Sequence, residues 1–151
     1  MAELMSRGSA ATKAIARLLL PAAMRSHRRP IILALSGQLG SGKTTFVQGL
    51  ARGLGIRERI QSPTFVLMKW YQLGKQFIPF RHLVHVDAYR LESLAEARHL
   101  DLRDTFKDRD AIIVVEWAER IGKVIPHGAV WLRFIHGKRA SERVIKISNF
   151  Q

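Results

Sequence analysis

Residues 37–45 read GQLGSGKTT and stand between an apolar run, PIILALS, and a second partly apolar segment, FVQGLARGL. The spacing of Gly37 and Gly42-Lys43-Thr44 satisfies the pattern G-x-x-x-x-G-K-[ST], in which a loop wraps around phosphate groups. Such a loop lies between a buried strand and the first turn of a helix, because that geometry aims backbone N–H groups at an anion. The pattern therefore predicts a strand–loop–helix unit and an α/β fold.

Each residue type in this loop has a physical task. Gly37, Gly40 and Gly42 allow the backbone to turn and to approach an anion without a Cβ atom in the way. The Lys43 ammonium group can reach the β and γ phosphates, and the Thr44 hydroxyl can ligate Mg²⁺, which prefers oxygen ligands. The alternative is a glycine-rich turn with an incidental lysine, but a strand pattern before the loop and a helix pattern after it favour the phosphate loop.

Strand and helix patterns alternate along the rest of the chain, which predicts an α/β fold with a single P-loop nucleoside triphosphatase domain. Ser93 and Glu96 have the spacing of a helix capping box. A hairpin-like turn at residues 73–76 makes the predicted sheet mixed, although mostly parallel, and flanked by helices. We predict helices at residues 10–20 and 44–54, and strands at residues 31–36, 65–71, 77–80, 83–86, 111–115, 129–135 and 143–147.

Two acidic residues end predicted strands. LVHVD ends in Asp87, and AIIVVE ends in Glu116. Ligands of open α/β sheets bind where such strands exit, and a P-loop enzyme needs a carboxylate near its metal ion. We expect one of the two to hold Mg²⁺, directly or through water, and the other to orient the attacking water or to sense the γ-phosphate. Their spacing leaves the two assignments open, and each acid taken alone could be a solvated strand end.

Composition sets broader limits on the 151 residues. The formal charge of +13 favours anionic partners such as nucleotides, RNA or acidic protein surfaces, although a solvated basic surface explains it equally well. No cysteine is present, which excludes disulfides and thiolate metal sites. No apolar run reaches the roughly 20 residues that cross a bilayer, so we expect no membrane association. We also expect a cytoplasmic location. We interpret residues 1–8 as a disordered N-terminus and residues 9–151 as the domain, in preference to a transit or signal peptide.

Four segments occur in a characteristic order: GQLGSGKTTFVQGLARGLG, QSPTFVLMKWY, HVDAYRL and VVEWAER. Together they resemble the TsaE (YjeE-like) ATPases of bacterial tRNA threonylcarbamoyladenosine synthesis, over most of the chain. The resemblance implies an ATPase that uses ATP and Mg²⁺ and acts with the two other proteins of the threonylcarbamoyl-transfer complex. That complex modifies adenosine 37 of tRNAs reading ANN codons, and this ATPase would reset it, with tRNA contacted indirectly.

The resemblance also implies roles for individual residues. Thr44 and Glu116 would serve Mg²⁺, whereas Asp87 would belong to the catalytic or switch machinery. The remaining residues would contact the nucleotide or sense its γ-phosphate. They are Gly37, Gly40, Ser41, Gly42, Lys43 and Thr45 at the phosphates, Thr64 in a switch loop, Trp117 beside the site, and Thr12 and Arg139 as weaker matches.

Two other functions fit parts of the pattern. A small-molecule kinase has the same phosphate loop but needs an acceptor pocket and an arginine-bearing lid, for which Arg90, Arg98, Arg103 and Arg109 are the candidates. A non-hydrolytic RNA-binding module would instead use the basic segments MRSHRR and HGKRAS. Tight RNA binding with a steep salt dependence would favour the RNA-binding module.

Overall fold

A computed structural model of the chain describes residues 1–62, 67–91, 93, 95–96 and 100–149. Within these residues one mixed sheet has the strand order β1-β7-β6-β2-β5-β4-β3. Its four central strands, β6, β2, β5 and β4, are parallel, and the pairs at both edges are antiparallel. The predicted mixed, mostly parallel α/β sheet is therefore confirmed. The strands are β1 (Ala2–Ser6), β2 (Ile31–Gly37), β3 (Met68–Gln72), β4 (His82–Asp87), β5 (Ala111–Glu116), β6 (Val130–His136) and β7 (Arg143–Ser148).

The adjacent strands β2 and β5 are buried on both faces along their apolar runs, as those unbroken runs predict. In β2, Ile31, Leu33 and Leu35 belong to one core cluster, whereas Ile32 and Ala34 belong to a second cluster across the sheet. All six residues of β5 are buried. Because β2 lies between β5 and β6, its C-terminal end opens in the middle of the sheet edge.

Helices cover both faces of this sheet. The helices α1 (Ser9–Arg25) and α2 (Lys43–Gly53) lie on the face of the first cluster. The short helix α3 (Leu102–Thr105) and a 3₁₀ turn at Ala118–Ile121 contribute to the second cluster, and another 3₁₀ turn spans Lys75–Phe77. None of the helices in the described part of the chain combines the length and the apolar character that crossing a membrane requires.

The N-terminal residues form a strand, in contrast to the predicted disorder. Residues 2–6 form β1, which pairs antiparallel with β7 from Ala2 opposite Ile147 to Ser6 opposite Arg143. Leu4 packs against the first core cluster, and the buried Ser6 hydroxyl lies 2.7 Å from the Thr12 hydroxyl. Within β1, only Leu4 and Ser6 are not exposed. The pentapeptide therefore shows too little apolar alternation to predict a strand. The domain therefore includes this strand, and the expected boundary at residue 9 is wrong.

The region around residues 73–81 also departs from its prediction. Residues 77–80 are not a strand, because a 3₁₀ turn begins at Lys75 and the Phe80 N–H bonds the Phe77 carbonyl. The hairpin partner of β3 is β4 instead. In the capping box, the Glu96 N–H donates to the Ser93 hydroxyl at 3.3 Å, as predicted.

Gly49 permits the close contact between α1 and α2. A Cβ atom added there would lie 2.5 Å from Lys13 Cα and 2.6 Å from the Lys13 carbonyl oxygen, both of which are backbone atoms. We expect Gly49→Ala to lower the free energy of unfolding by about 1–3 kcal/mol, because the helices must separate and this loss exceeds the gain in helix propensity. Urea denaturation followed by circular dichroism measures the change.

Gly53→Ala in the same helix is the matched control. A Cβ atom at Gly53 would meet its closest atoms, Arg17 Cγ and Leu20 Cδ2, at 3.3 Å, and both belong to side chains that can shift. We expect this variant to remain close to the wild type in stability. Equal stability of the two variants would contradict the assigned role of Gly49.

Candidate active site

The phosphate loop joins the end of β2 to the start of α2. Gly37 ends the strand with φ 139°, and Gly42 precedes the helix with φ 100°, both in the region that favours glycine. A Cβ atom at Gly37 would collide with the Phe134 carbonyl oxygen of the neighbouring β6. The first turn of α2 therefore faces the loop with its free N–H groups, and its dipole adds positive potential there.

Lys43 places its ammonium group inside this loop. Its Nζ donates to the carbonyl oxygens of Gly37 at 2.6 Å and Gln38 at 3.0 Å. The same atom lies 3.9 Å from the centroid of the Trp117 ring, a cation–π contact. Burial lowers the pKa of Lys43, and the nearby carboxylates of Glu119, Glu116 and Asp87 act in the opposite direction. The loop thus holds a partly desolvated cation next to three acids.

The two predicted acids end neighbouring parallel strands. Asp87 of β4 is directly opposite Glu116 of β5, and Glu116 is opposite Leu35 of the phosphate-loop strand β2. Glu116 is therefore one strand from the loop strand, and Asp87 is two strands away. The Thr44 hydroxyl donates to Glu116 Oε2 at 2.8 Å, which brings the two predicted Mg²⁺ ligands into contact.

Asp87 has a different set of partners. Its Oδ2 accepts a hydrogen bond from the Ser62 hydroxyl, and its Oδ1 accepts one from the Tyr89 N–H at 2.9 Å. The Asp87 N–H in turn donates to the Leu67 carbonyl at 2.9 Å. Asp87 thereby contacts both ends of the segment that contains Thr64. Thr64 itself lies outside the described residues.

A cavity of about 300 Å³ opens beside the loop. Thr12 and Trp117, predicted to lie near the nucleotide, both line it. Among the predicted site residues that the structure describes, three do not line this cavity: Gly37, Asp87 and Arg139. The Arg139 side chain is 84% exposed in the β6–β7 turn, where its Nε lies 3.9 Å from Glu142 Oε1. The lining residues are Gly8, Ser9, Thr12, Leu39, Gly40, Ser41, Gly42, Lys43, Thr44, Thr45, Glu116, Trp117, Ser141 and Arg143.

Two further residues contact the loop backbone without having been singled out from the sequence. Arg143 Nη2 donates to the Gly40 carbonyl at 2.9 Å, and Glu119 Oε1 accepts the Gly37 N–H at 3.2 Å. Arg143 follows the same basic turn as Arg139, but the pattern does not say which arginine points inward. Glu119 comes three residues after Glu116 and carries no separate signal.

The donors present fit a nucleotide with a hard cation. Among the residues that the structure describes, no group of three or more His, Asp or Glu side chains is arranged to hold a metal ion. A hydroxyl and one carboxylate, Thr44 and Glu116, do lie together at the loop. That pair suits Mg²⁺, which commonly takes one or two protein oxygens and fills its shell with phosphate oxygens and water.

Comparison with known proteins places the chain in a family. The sequence model of the family described as "Threonylcarbamoyl adenosine biosynthesis protein TsaE" matches residues 6–145. Relatives named tRNA threonylcarbamoyladenosine biosynthesis protein TsaE include one from Streptomyces coelicolor, 48% identical over 62% of this chain and 59% of its own length. Another, from Bacillus subtilis, is 41% identical over 76% of this chain and 65% of its own length. The matched segments thus span about three fifths of these relatives.

The fold is similar over a greater length. The crystal structure of Bacillus subtilis YdiB superposes with a TM-score of 0.70 and 32% sequence identity, covering 97% of this chain and 83% of that one. With a matching family model over nearly its whole length, the chain belongs to the TsaE family of threonylcarbamoyl adenosine biosynthesis proteins.

Proposed function

We propose that the protein is the Mg²⁺-dependent ATPase component of tRNA threonylcarbamoyladenosine synthesis. It would hydrolyse ATP to ADP and phosphate together with two partner proteins in the cytoplasm, and each cycle would reset the complex that transfers the threonylcarbamoyl group to adenosine 37. tRNA would be contacted indirectly, through that complex. The observation that carries the proposal is the 2.8 Å hydrogen bond between Thr44 and Glu116 at the mouth of the phosphate loop.

The chain's own residues suggest how the triphosphate would be held. Backbone N–H groups of residues 40–45 would bind the phosphate oxygens at the start of α2. The Lys43 ammonium group would add a positive charge. Its interaction with the phosphates would strengthen as negative charge develops in the transition state of phosphate transfer. Thr44 and Glu116 would hold Mg²⁺, which neutralises charge on the phosphate oxygens when bound. The base and ribose would occupy the cavity next to Thr12 and Trp117.

Asp87 would have a separate task. Its two carboxylate oxygens already accept hydrogen bonds from the Ser62 hydroxyl and the Tyr89 N–H. Its backbone N–H also bonds the Leu67 carbonyl, so it contacts both flanks of the segment containing Thr64. These contacts support a role in positioning that segment and the attacking water, with the metal left to Glu116. A partner protein that orders the same segment would raise a slow intrinsic rate.

Lys43→Ala tests the site. We expect ATP hydrolysis, measured as phosphate release with the partner proteins present, to fall at least about 10²-fold, because a preorganised charge at the transferred phosphate is lost. Lys123→Ala, at an exposed surface lysine, serves as the control and should leave the rate unchanged. Full activity of the Lys43 variant would show that the site is wrong. Recovery of the phosphate on a metabolite, instead of as free phosphate, would favour the kinase alternative.

A second test separates the two acids. Glu116→Gln should raise the Mg²⁺ concentration for half-maximal turnover about 10- to 100-fold, because a ligand charge is removed. Asp87→Asn should lower the maximal rate and leave that Mg²⁺ concentration nearly unchanged. A Mg²⁺ titration of the hydrolysis rate at saturating ATP distinguishes the two effects. The opposite pattern would assign the metal to Asp87.

A further inference from the structure

His85 is a buried polar residue in the middle of a central strand. It lies in β4 within the sequence HLVHVD, is 0% exposed, and is opposite Val114 of β5. Its strand neighbours Val84 and Val86 are both fully buried in the second core cluster. A strand buried on both faces normally contains aliphatic residues, because a buried polar group costs free energy unless it is hydrogen-bonded. The packing of β4 alone therefore does not explain a histidine at this position.

The side chain has one close polar partner. His85 Nε2 lies 2.9 Å from Glu116 Oε1, and both residues are almost completely buried. An ionised carboxylate only accepts hydrogen bonds, so this contact is a hydrogen bond to ionised Glu116 in the ring tautomer that carries its hydrogen on Nε2. The other ring nitrogen, Nδ1, is buried and has no hydrogen-bond partner among the described residues. The polar function of the ring is thus directed at Glu116.

The two oxygens of Glu116 are held from opposite sides. Oε2 accepts the hydrogen bond from Thr44 of the phosphate loop, and Oε1 accepts the one from His85 of β4. His85 is not one of the residues that line the 300 Å³ cavity, so it contacts the proposed metal ligand from outside the proposed nucleotide site. If Glu116 is a metal ligand, these two contacts would fix the orientation of its carboxylate and keep the oxygen next to Thr44 available to Mg²⁺.

We propose that His85 is a positioning residue that fixes the orientation of Glu116 for Mg²⁺ binding. The inference rests on the proposed function, because it takes Glu116 as a metal ligand. It assigns a function to a residue of HVDAYRL other than its acid, Asp87. It also gives a reason for a histidine at a fully buried position of β4.

Two amide substitutions test this role. Gln can place an N–H donor near the position of Nε2, whereas the shorter Asn cannot reach Glu116. We expect His85→Asn to weaken Mg²⁺ binding to the protein–ADP complex about 10- to 100-fold, and His85→Gln to restore most of it. Calorimetric titration with Mg²⁺ gives this affinity without relying on turnover. Binding of ADP in the absence of Mg²⁺ should stay close to that of the wild type for both variants.

His82→Asn is the matched control, because it makes the same substitution at the start of the same strand. The His82 ring contacts Trp70 at a centroid distance of 5.4 Å. This substitution should not change Mg²⁺ affinity. Suppose that Glu116→Gln weakens Mg²⁺ binding as expected. Wild-type Mg²⁺ affinity in His85→Asn, or equal losses of affinity in His85→Asn and His85→Gln, would then overturn the positioning role of His85. Wild-type Mg²⁺ affinity in Glu116→Gln would instead overturn the metal assignment itself, and this inference with it.

Discussion

The burial of β2 between two parallel neighbours is the constraint on which the site depends. Its apolar side chains enter the core clusters on both faces, so the strand can neither rotate nor shift its register without exposing one of them. The loop after Gly37 therefore emerges at a fixed point, between the ends of β5 and β6. The contact of α2 with α1 at Gly49 then fixes the direction of the helix whose first turn faces that loop.

Charge balance is the second requirement of this arrangement. Glu116 is only 2% exposed, and an ionised carboxylate at such a position is stable only when its hydrogen bonds and charge are satisfied. The Thr44 hydroxyl and the His85 ring supply the hydrogen bonds, and Lys43 supplies a nearby positive charge. Lys43 is itself desolvated and is held by loop carbonyls and by the Trp117 ring. The cation and the acid thus stabilise each other's burial before any ligand contributes.

Several parts of this picture could be predicted from sequence because each depends on local residues. The loop, the buried strands and the acids at their ends all follow from short patterns with a direct physical meaning. The strand β1 was missed because its stability comes from pairing with β7, more than 130 residues later in the chain. The predicted strand at residues 77–80 was wrong because a 3₁₀ turn occupies its start and β4 supplies the pairing. Arg143 and Glu119 were missed because their contacts with the loop backbone join distant segments.

Residue type and spacing are enough to predict the phosphate loop, the α/β class and the two candidate acids, because they set local backbone geometry and strand burial. Which of the two acids lies next to the loop depends on how the strands are ordered in the sheet. Strand order, which no local pattern contains, puts Glu116 one strand from the loop and Asp87 two strands away. It also decided the partners of each acid, since Thr44, His85 and Ser62 come together only when separate strands and loops meet at one edge of the sheet.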